Sequence, residues 1–207
     1  MNPHLDDWLG QQLERNIRSK RRLLRFFLDA YKVCVPDYIN RPKTDLTSAQ
    51  NEFTFHLGSP LSDLRTVASW VLTHHPRRRS VAKCIPALWK RHGREDLTMA
   101  GLLLANVGSE ALGEDPWIAF IHLLQRREPL MIVLEVAEEL VRAGHPVPED
   151  EWLLAAGEQS PSWHQFCLLF LSLRKHTSPK IRAFIQRAPP GGELFERIRL
   201  RLLSTED

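Results

Sequence analysis

Lysine and arginine are the residue types here whose number and spacing could do chemistry. Eight fall between Arg65 and Arg94, namely Arg65, Arg77, Arg78, Arg79, Lys83, Lys90, Arg91 and Arg94. Eight more fall between Arg174 and Arg201, beginning with Arg174, Lys175, Lys180 and Arg182. From Glu110 to Glu158, between the blocks, eleven acidic residues stand against three basic ones. The chain as a whole carries only +3, so its charge is segregated rather than large. Positive blocks of this kind can hold the phosphates of a polyanion, giving affinity without reading sequence. Solvated helix faces have the same composition. A further run, Arg15 to Arg25, reads either as a basic helix lying on nucleic acid or membrane or, more commonly, as a solvated face.

Other chemistries find less material. Cys34, Cys84 and Cys167 are odd in number, far apart and set in apolar patterns. That suits buried small hydrophobes better than a disulfide frame or a zinc site. The nine histidines form no paired ligand spacing on a helix face, and His74–His75 beside Pro76 reads as a frayed helix end. No metal and no cofactor is therefore expected. Phosphate-cradling glycine loops and serine–histidine–acid arrangements are not seen. No apolar run matches a membrane span, and MNPHLDDWLG lacks the regions of a signal peptide. The expectation is a cytoplasmic, monomeric protein without a membrane partner.

The elements that would position the basic residues are helices. Residues 3–32 read as one long helix, or two with a bend near Ser19. Pro36 ends that unit. Residues 36–58 are the least regular, with a short helix expected from Thr47. Then come three amphipathic helices between Leu57 and Val107. Ser59-Pro60 caps and starts the first, with Leu61, Leu64, Val67, Ala68, Val71 and Leu72 as its stripe. Val81, Cys84, Ile85, Leu88 and Trp89 mark the second, closed by Gly93. Glu95 and Asp96 open the third, where the helix dipole favours acid. Further helices are read at 116–126, 129–143 (closed by Gly144), 149–157, 163–176, 180–187 and 193–203. Ser160-Pro161 and Ser178-Pro179 repeat the cap-plus-proline start. Trp70, Trp89, Trp117 and Trp152 fall on apolar stripes and are expected in the core. No strand pattern is present. Helices beginning near 60, 94, 128 and 161 recur at about 34 residues, the length of a helix pair in an α-solenoid. The fold expected is all-α: a HEAT-like α-solenoid of antiparallel helix pairs, about ten helices. It would form a single domain over 1–207, with 1–45 as an N-terminal helical cap and 46–207 as the repeat body.

The segment GSPLSDLRTVASWVLTHHP…IPALWKRHGREDLTMAGLLLANV resembles the DNA alkylation repair family, the alkylpurine DNA glycosylases built from HEAT-like repeats. The elements that match are Gly58, Leu64, Arg65 and Ala68, then Leu88 and Trp89, then Arg94, Glu95 and Ala100. LSLRKHTSPKIRAFIQRA is similar to the family's later segment, and the likeness is collinear over roughly residues 50–203. The resemblance implies a concave basic surface that holds duplex DNA by its backbone. In catalytic members a Trp and an Asp four residues apart on one helix assist cleavage of the N-glycosidic bond, the acid stabilising the cationic sugar. Here the best register places Leu130 and Leu134 at those positions. Glu135 lies one residue on, about 100° around the helix. A second register brings Asp115-Pro-Trp117 instead. Trp163 resembles a family tryptophan, but the arginine three residues later is Phe166.

Three readings follow. The first is a duplex-DNA-binding protein of this family, without the usual catalytic pair. Arg65, Arg77, Arg78, Arg79, Lys83, Lys90, Arg91 and Arg94 would serve one end of its groove, and Arg174, Lys175, Lys180 and Arg182 the other. The second is an active glycosylase for N3- or N7-alkylpurines with a displaced acid, Glu135 or Asp115. The third is a protein–protein scaffold, its acidic middle facing a basic partner.

Overall fold

The computed structural model describes residues 2–35, 53–125, 128–174 and 178–204. Every regular element among them is helical, and none is long and apolar enough to cross a membrane. The chain divides into two compact units, Met1–Leu123 and Leu124–Asp207. Residues 36–45 of the expected cap, and the short helix expected from Thr47, lie outside the described residues.

The first unit contains α1 (Pro3–Gly10), a 3-10 turn (Glu14–Asn16), α2 (Lys20–Val33), α3 (Leu61–His74), α4 (Arg78–Ala82) and α5 (Ile85–Arg91), followed by α6 (Arg94–Asn106), α7 (Ser109–Leu112) and α8 (Pro116–Leu123). Of the two readings of residues 3–32, the one with two helices and a break near Ser19 matches α1 and α2. Ser19 is extended and accepts the Arg22 N–H with its hydroxyl, so α2 starts afresh there. The expected second helix also divides, because Pro86 lacks an N–H and its ring would meet the carbonyl four residues back. The helix ends at Ala82, and α5 begins with the proline in its first turn. These breaks, together with the short α7 that no sequence pattern marked, are why the helices outnumber the ten expected.

Helix α6 is the hub of this unit. Every residue from Glu95 to Ala105 is buried, and α3, α4, α5 and α8 all pack on it. A helix surrounded in this way is apolar almost all round. Leu97, Leu103 and Leu104 are fully covered, each side chain stabilising the fold by about 1.5–3 kcal/mol relative to exposure.

Its two acids are the exception, and they do more than favour the dipole. Glu95 and Asp96 are both 0 % exposed. Gly58 takes φ +90, a left-handed turn that lets consecutive N–H groups converge on one anion. Glu95 Oε1 accepts those of Leu57, Gly58 and Ser59 at 2.9, 2.8 and 3.3 Å. Ser59 is therefore not a helix cap. Its hydroxyl donates to the Tyr31 carbonyl, and Pro60 is the residue preceding α3. Asp96 takes a bidentate pair from Arg91, Nε lying 2.7 Å from Oδ2, and the Tyr31 hydroxyl donates to it at 3.2 Å. Burial pushes the Asp96 carboxyl up, and Arg91 and Tyr31 pull it part of the way back.

The α5–α6 corner differs from expectation in its glycine. His92, not Gly93, adopts the left-handed conformation (φ 57). Gly93 is required for another reason: a Cβ there would lie 2.1 Å from the Phe55 ring.

The second unit contains α9 (Leu130–Arg142), α10 (Asp150–Gly157), α11 (Pro161–Leu171), α12 (Pro179–Gln186) and α13 (Glu193–Ser204). Helix α11 is its centre, buried without interruption from Phe166 to Leu171 and packed by α9, α10 and α13. The two serine–proline starts form as read: Ser160 accepts the Trp163 N–H and Ser178 the Ile181 N–H. Gly144 (φ +91) closes α9, with His145 N–H returning to Leu140 and Gly144 N–H to Val141. Those two bonds make a Schellman motif.

Arg91→Ala would leave the Asp96 carboxylate buried without its main partner, and a loss of about 3 kcal/mol in urea unfolding is expected. The exposed Arg79→Ala should stay within about 0.5 kcal/mol of wild type. Equal effects of the two would contradict the assigned role of Arg91. Gly93→Ala should destabilise by roughly 1–3 kcal/mol through the clash with Phe55, checked in the same titration.

Candidate nucleic-acid interface

The fold sorts the basic residues into those holding the structure together and those left on the surface. Arg91 belongs to the first group: besides Asp96, its Nη1 donates to the Leu24 carbonyl at 3.2 Å. Arg94 is half-buried and donates to Thr98 Oγ1 at 2.9 Å. Arg174 binds Asp150 and the Pro148 carbonyl, and Ser178 Oγ donates to the same Asp150 at 2.8 Å. Arg174 thus ties the end of α11 to the entry of α10, and Asp150 in turn joins that entry to the start of α12. Arg78 is exposed but reaches the Asn106 carbonyl at 2.8 Å. Arg65 is half-buried on α3, facing α1. The surface group is Arg77, Arg79, Lys83 and Lys90 in the first unit, and Lys180 and Arg182 on α12 in the second, all exposed. Lys175 lies outside the described residues.

Contacts at three points bring a second set of cations beside α4. Helix α2 packs on α4. The buried His75 ring, whose Nδ1 accepts the Arg77 N–H at 3.0 Å, lies against the Ile17 backbone and feels Glu14. Cys84, at the turn between α4 and α5, feels the charges of Lys20 and Arg91. The run Arg15, Arg18, Lys20, Arg21, Arg22 and Arg25 therefore adjoins the run Arg77, Arg78, Arg79, Lys83 and Lys90. Arg15, Arg18, Lys20 and Arg21 are exposed. Neither 15–25 nor 77–91 contains an acidic residue. The sequence signal for the first run was its density of cations on one amphipathic helix, which a solvated face shares. Its neighbour, the run beginning at Arg77, was not visible in the spacing.

The weak acid candidates have other environments. Asp115 Oδ1 accepts the N–H groups of Trp117 and Ile118 at 2.8 and 3.4 Å, capping α8. Glu135 is half-buried on α9. Trp89 and Trp117 are core, 1 % and 3 % exposed. Trp70 and Trp152, expected there too, are only half-buried. Trp70 stacks between Phe26 and His74, at 5.2 and 4.4 Å between ring centres. Burial pushes the thiols of Cys34 and Cys167 up to about 12 and that of Cys84 to about 11. These are inert thiols. Among the described residues no cluster of His, Cys, Asp or Glu could hold a metal ion.

No protein-family model matches this chain, and neither a curated protein nor a solved structure was found to match it.

His75 gives this surface a pH signature. Burial lowers its pKa below the usual 6.5, so the unfolded chain takes up the proton first. The stabilisation is complete above about pH 6.5 and falls away as the pH drops through the folded value. Urea unfolding between pH 7.5 and 5 should show a smaller acid loss for His75→Gln than for wild type. An equal loss in both would contradict this.

Proposed function

We propose that this chain is a duplex-DNA-binding protein that holds backbone phosphates on the surface formed by α2 and α4. The observation that supports it most is the meeting of two acid-free basic runs, 15–25 and 77–91, distant in sequence and adjacent in the fold. Exposed arginines and lysines at such density neutralise several phosphates together and release their counterions. Such contacts carry no base sequence. Lys180 and Arg182 on α12 form a second, smaller positive group in the other unit. A DNA partner fits the cytoplasmic site expected from the sequence.

The family reading, a divergent member of the DNA alkylation repair family, draws on the collinear motifs and on the helix starts. Helices α3, α6, α9 and α11 begin at 61, 94, 130 and 161, close to the period read in sequence. Within the first unit α3 and α5 both pack on α6, and within the second α9 and α10 both pack on α11. The same three-helix arrangement occurring twice is what a HEAT-like solenoid repeat would produce. An active glycosylase draws less support, since Asp115 already accepts two backbone N–H groups and Leu130 and Leu134 stand where the family's Trp and Asp would be. A protein scaffold remains the competing use of a helical surface, served by the acidic middle of the chain.

In an anisotropy titration with a labelled duplex, binding should weaken steeply with salt. About six phosphate contacts correspond to a log–log slope near −5. Arg79→Glu with Lys83→Glu should reduce affinity at least tenfold at fixed salt and flatten the slope. Absence of low-salt binding above that of an acidic control protein would overturn the proposal.

A further inference from the structure

An open cleft of about 620 Å³ lies between α1 and α3 in the first unit. It falls within the volume range of small-ligand sites. Its wall carries the edge of an aromatic column, Phe26–Trp70–His74, whose last ring is exposed. At its buried end Phe26 meets the half-buried Trp8 at a tilt, 5.2 Å between ring centres. Asp6 and Arg65 line the cleft from opposite helices, and Ser69 adds a hydroxyl.

Position and electrostatics narrow what could enter. Leu9, Gly10 and His74 belong to the last turns of α1 and α3, while Asp6, Arg65, Thr66 and Ser69 line the cleft from earlier turns. Asp6 offers an acceptor and Arg65 a guanidinium donor, so the cleft suits a planar group whose edge carries both functions. Both helices run straight into the basic surface. Past α1 comes Arg15, and past α3 come His75, against Ile17, and then Arg77. An aromatic cleft with an acceptor on one wall and a donor on the other, at the rim of a phosphate-binding surface, matches the layout for an unstacked base, whose face stacks while its edge donates and accepts.

We propose that this cleft receives an unpaired nucleobase, one carrying an exocyclic amino group, from a strand whose phosphates lie on the α2–α4 surface. The base stacks on His74 at the end of the column, its amino group donates to Asp6, and Arg65 serves a ring acceptor. This rests on the DNA-binding reading above and adds to it a preference for DNA with an extrahelical base.

The test compares a fully paired duplex with the same duplex carrying one extrahelical adenosine, by anisotropy with the full chain. Wild type should bind the bulged duplex about tenfold more tightly, the scale of one base–aromatic stack. His74→Ala, and Ser69→Trp, which fills the cleft from an exposed position, should both bind the bulged duplex no better than the paired one. Their affinity for the paired duplex should be unchanged, and their urea midpoints should confirm folding. Equal wild-type affinity for the two duplexes overturns this inference and leaves the DNA-binding reading standing. A preference that survives both substitutions also overturns it. So does adenosine monophosphate binding as tightly as the bulged duplex, which would make the site one for a free nucleotide. Binding to neither duplex removes both proposals.

Discussion

Two carboxylates at the start of one buried helix hold the first unit together. Burying an ionised acid is costly unless charge and hydrogen bonds replace the water it loses. Glu95 meets that demand at Oε1, with three backbone N–H groups of the segment before α3, while its buried Oε2 makes no hydrogen bond among the described residues. Asp96 meets it with the Arg91 guanidinium and the Tyr31 hydroxyl. The consequence is geometric. Elements from α2, the 57–59 segment, α5 and α6 must all arrive at one place, or two buried carboxyl groups lose their partners. Thr54 and Phe55 reinforce the same corner through backbone bonds to His92 and Arg94.

That requirement also shapes the basic surface. Satisfying Asp96 takes Arg91 out of solvent and turns it into a clamp, because the same guanidinium donates to the Leu24 carbonyl on α2. With Tyr31 bonded to Asp96 at the other end, α2 is fixed at two points along its length, to α5 at Leu24 and to α6 at Tyr31. Its N-terminal cations are then held beside α4, where Lys20 is felt at Cys84. One buried pair thus removes a cation from the candidate interface and aligns several others into it.

How much of this could be read from sequence follows from what kind of signal each feature leaves. Helix type was legible nearly throughout, because apolar stripes at three-and-four spacing are local. Ser160-Pro161, Ser178-Pro179 and Gly144 were legible for the same reason. Pro86 was equally local, yet its break was obscured by an apolar stripe that runs unbroken from Val81 to Trp89. Glu95 and Asp96 were read as dipole-favouring acids, since composition cannot distinguish an exposed first-turn acid from one that is 0 % exposed. Gly93 looked like a helix stop, but its reason is Phe55, a residue met only in three dimensions. In the candidate site, cation density was visible, while the sorting of Arg91 and Arg174 into structural ties and the pairing of 15–25 with 77–91 depend on tertiary contacts.

The central claim, that α2 and α4 together form the polyanion surface, is tested most directly by amide hydrogen exchange with and without a saturating duplex at low salt. The account predicts slowed exchange in both the 15–25 and 77–83 segments together. Slowing confined to other regions, or to only one of these two segments, would contradict it.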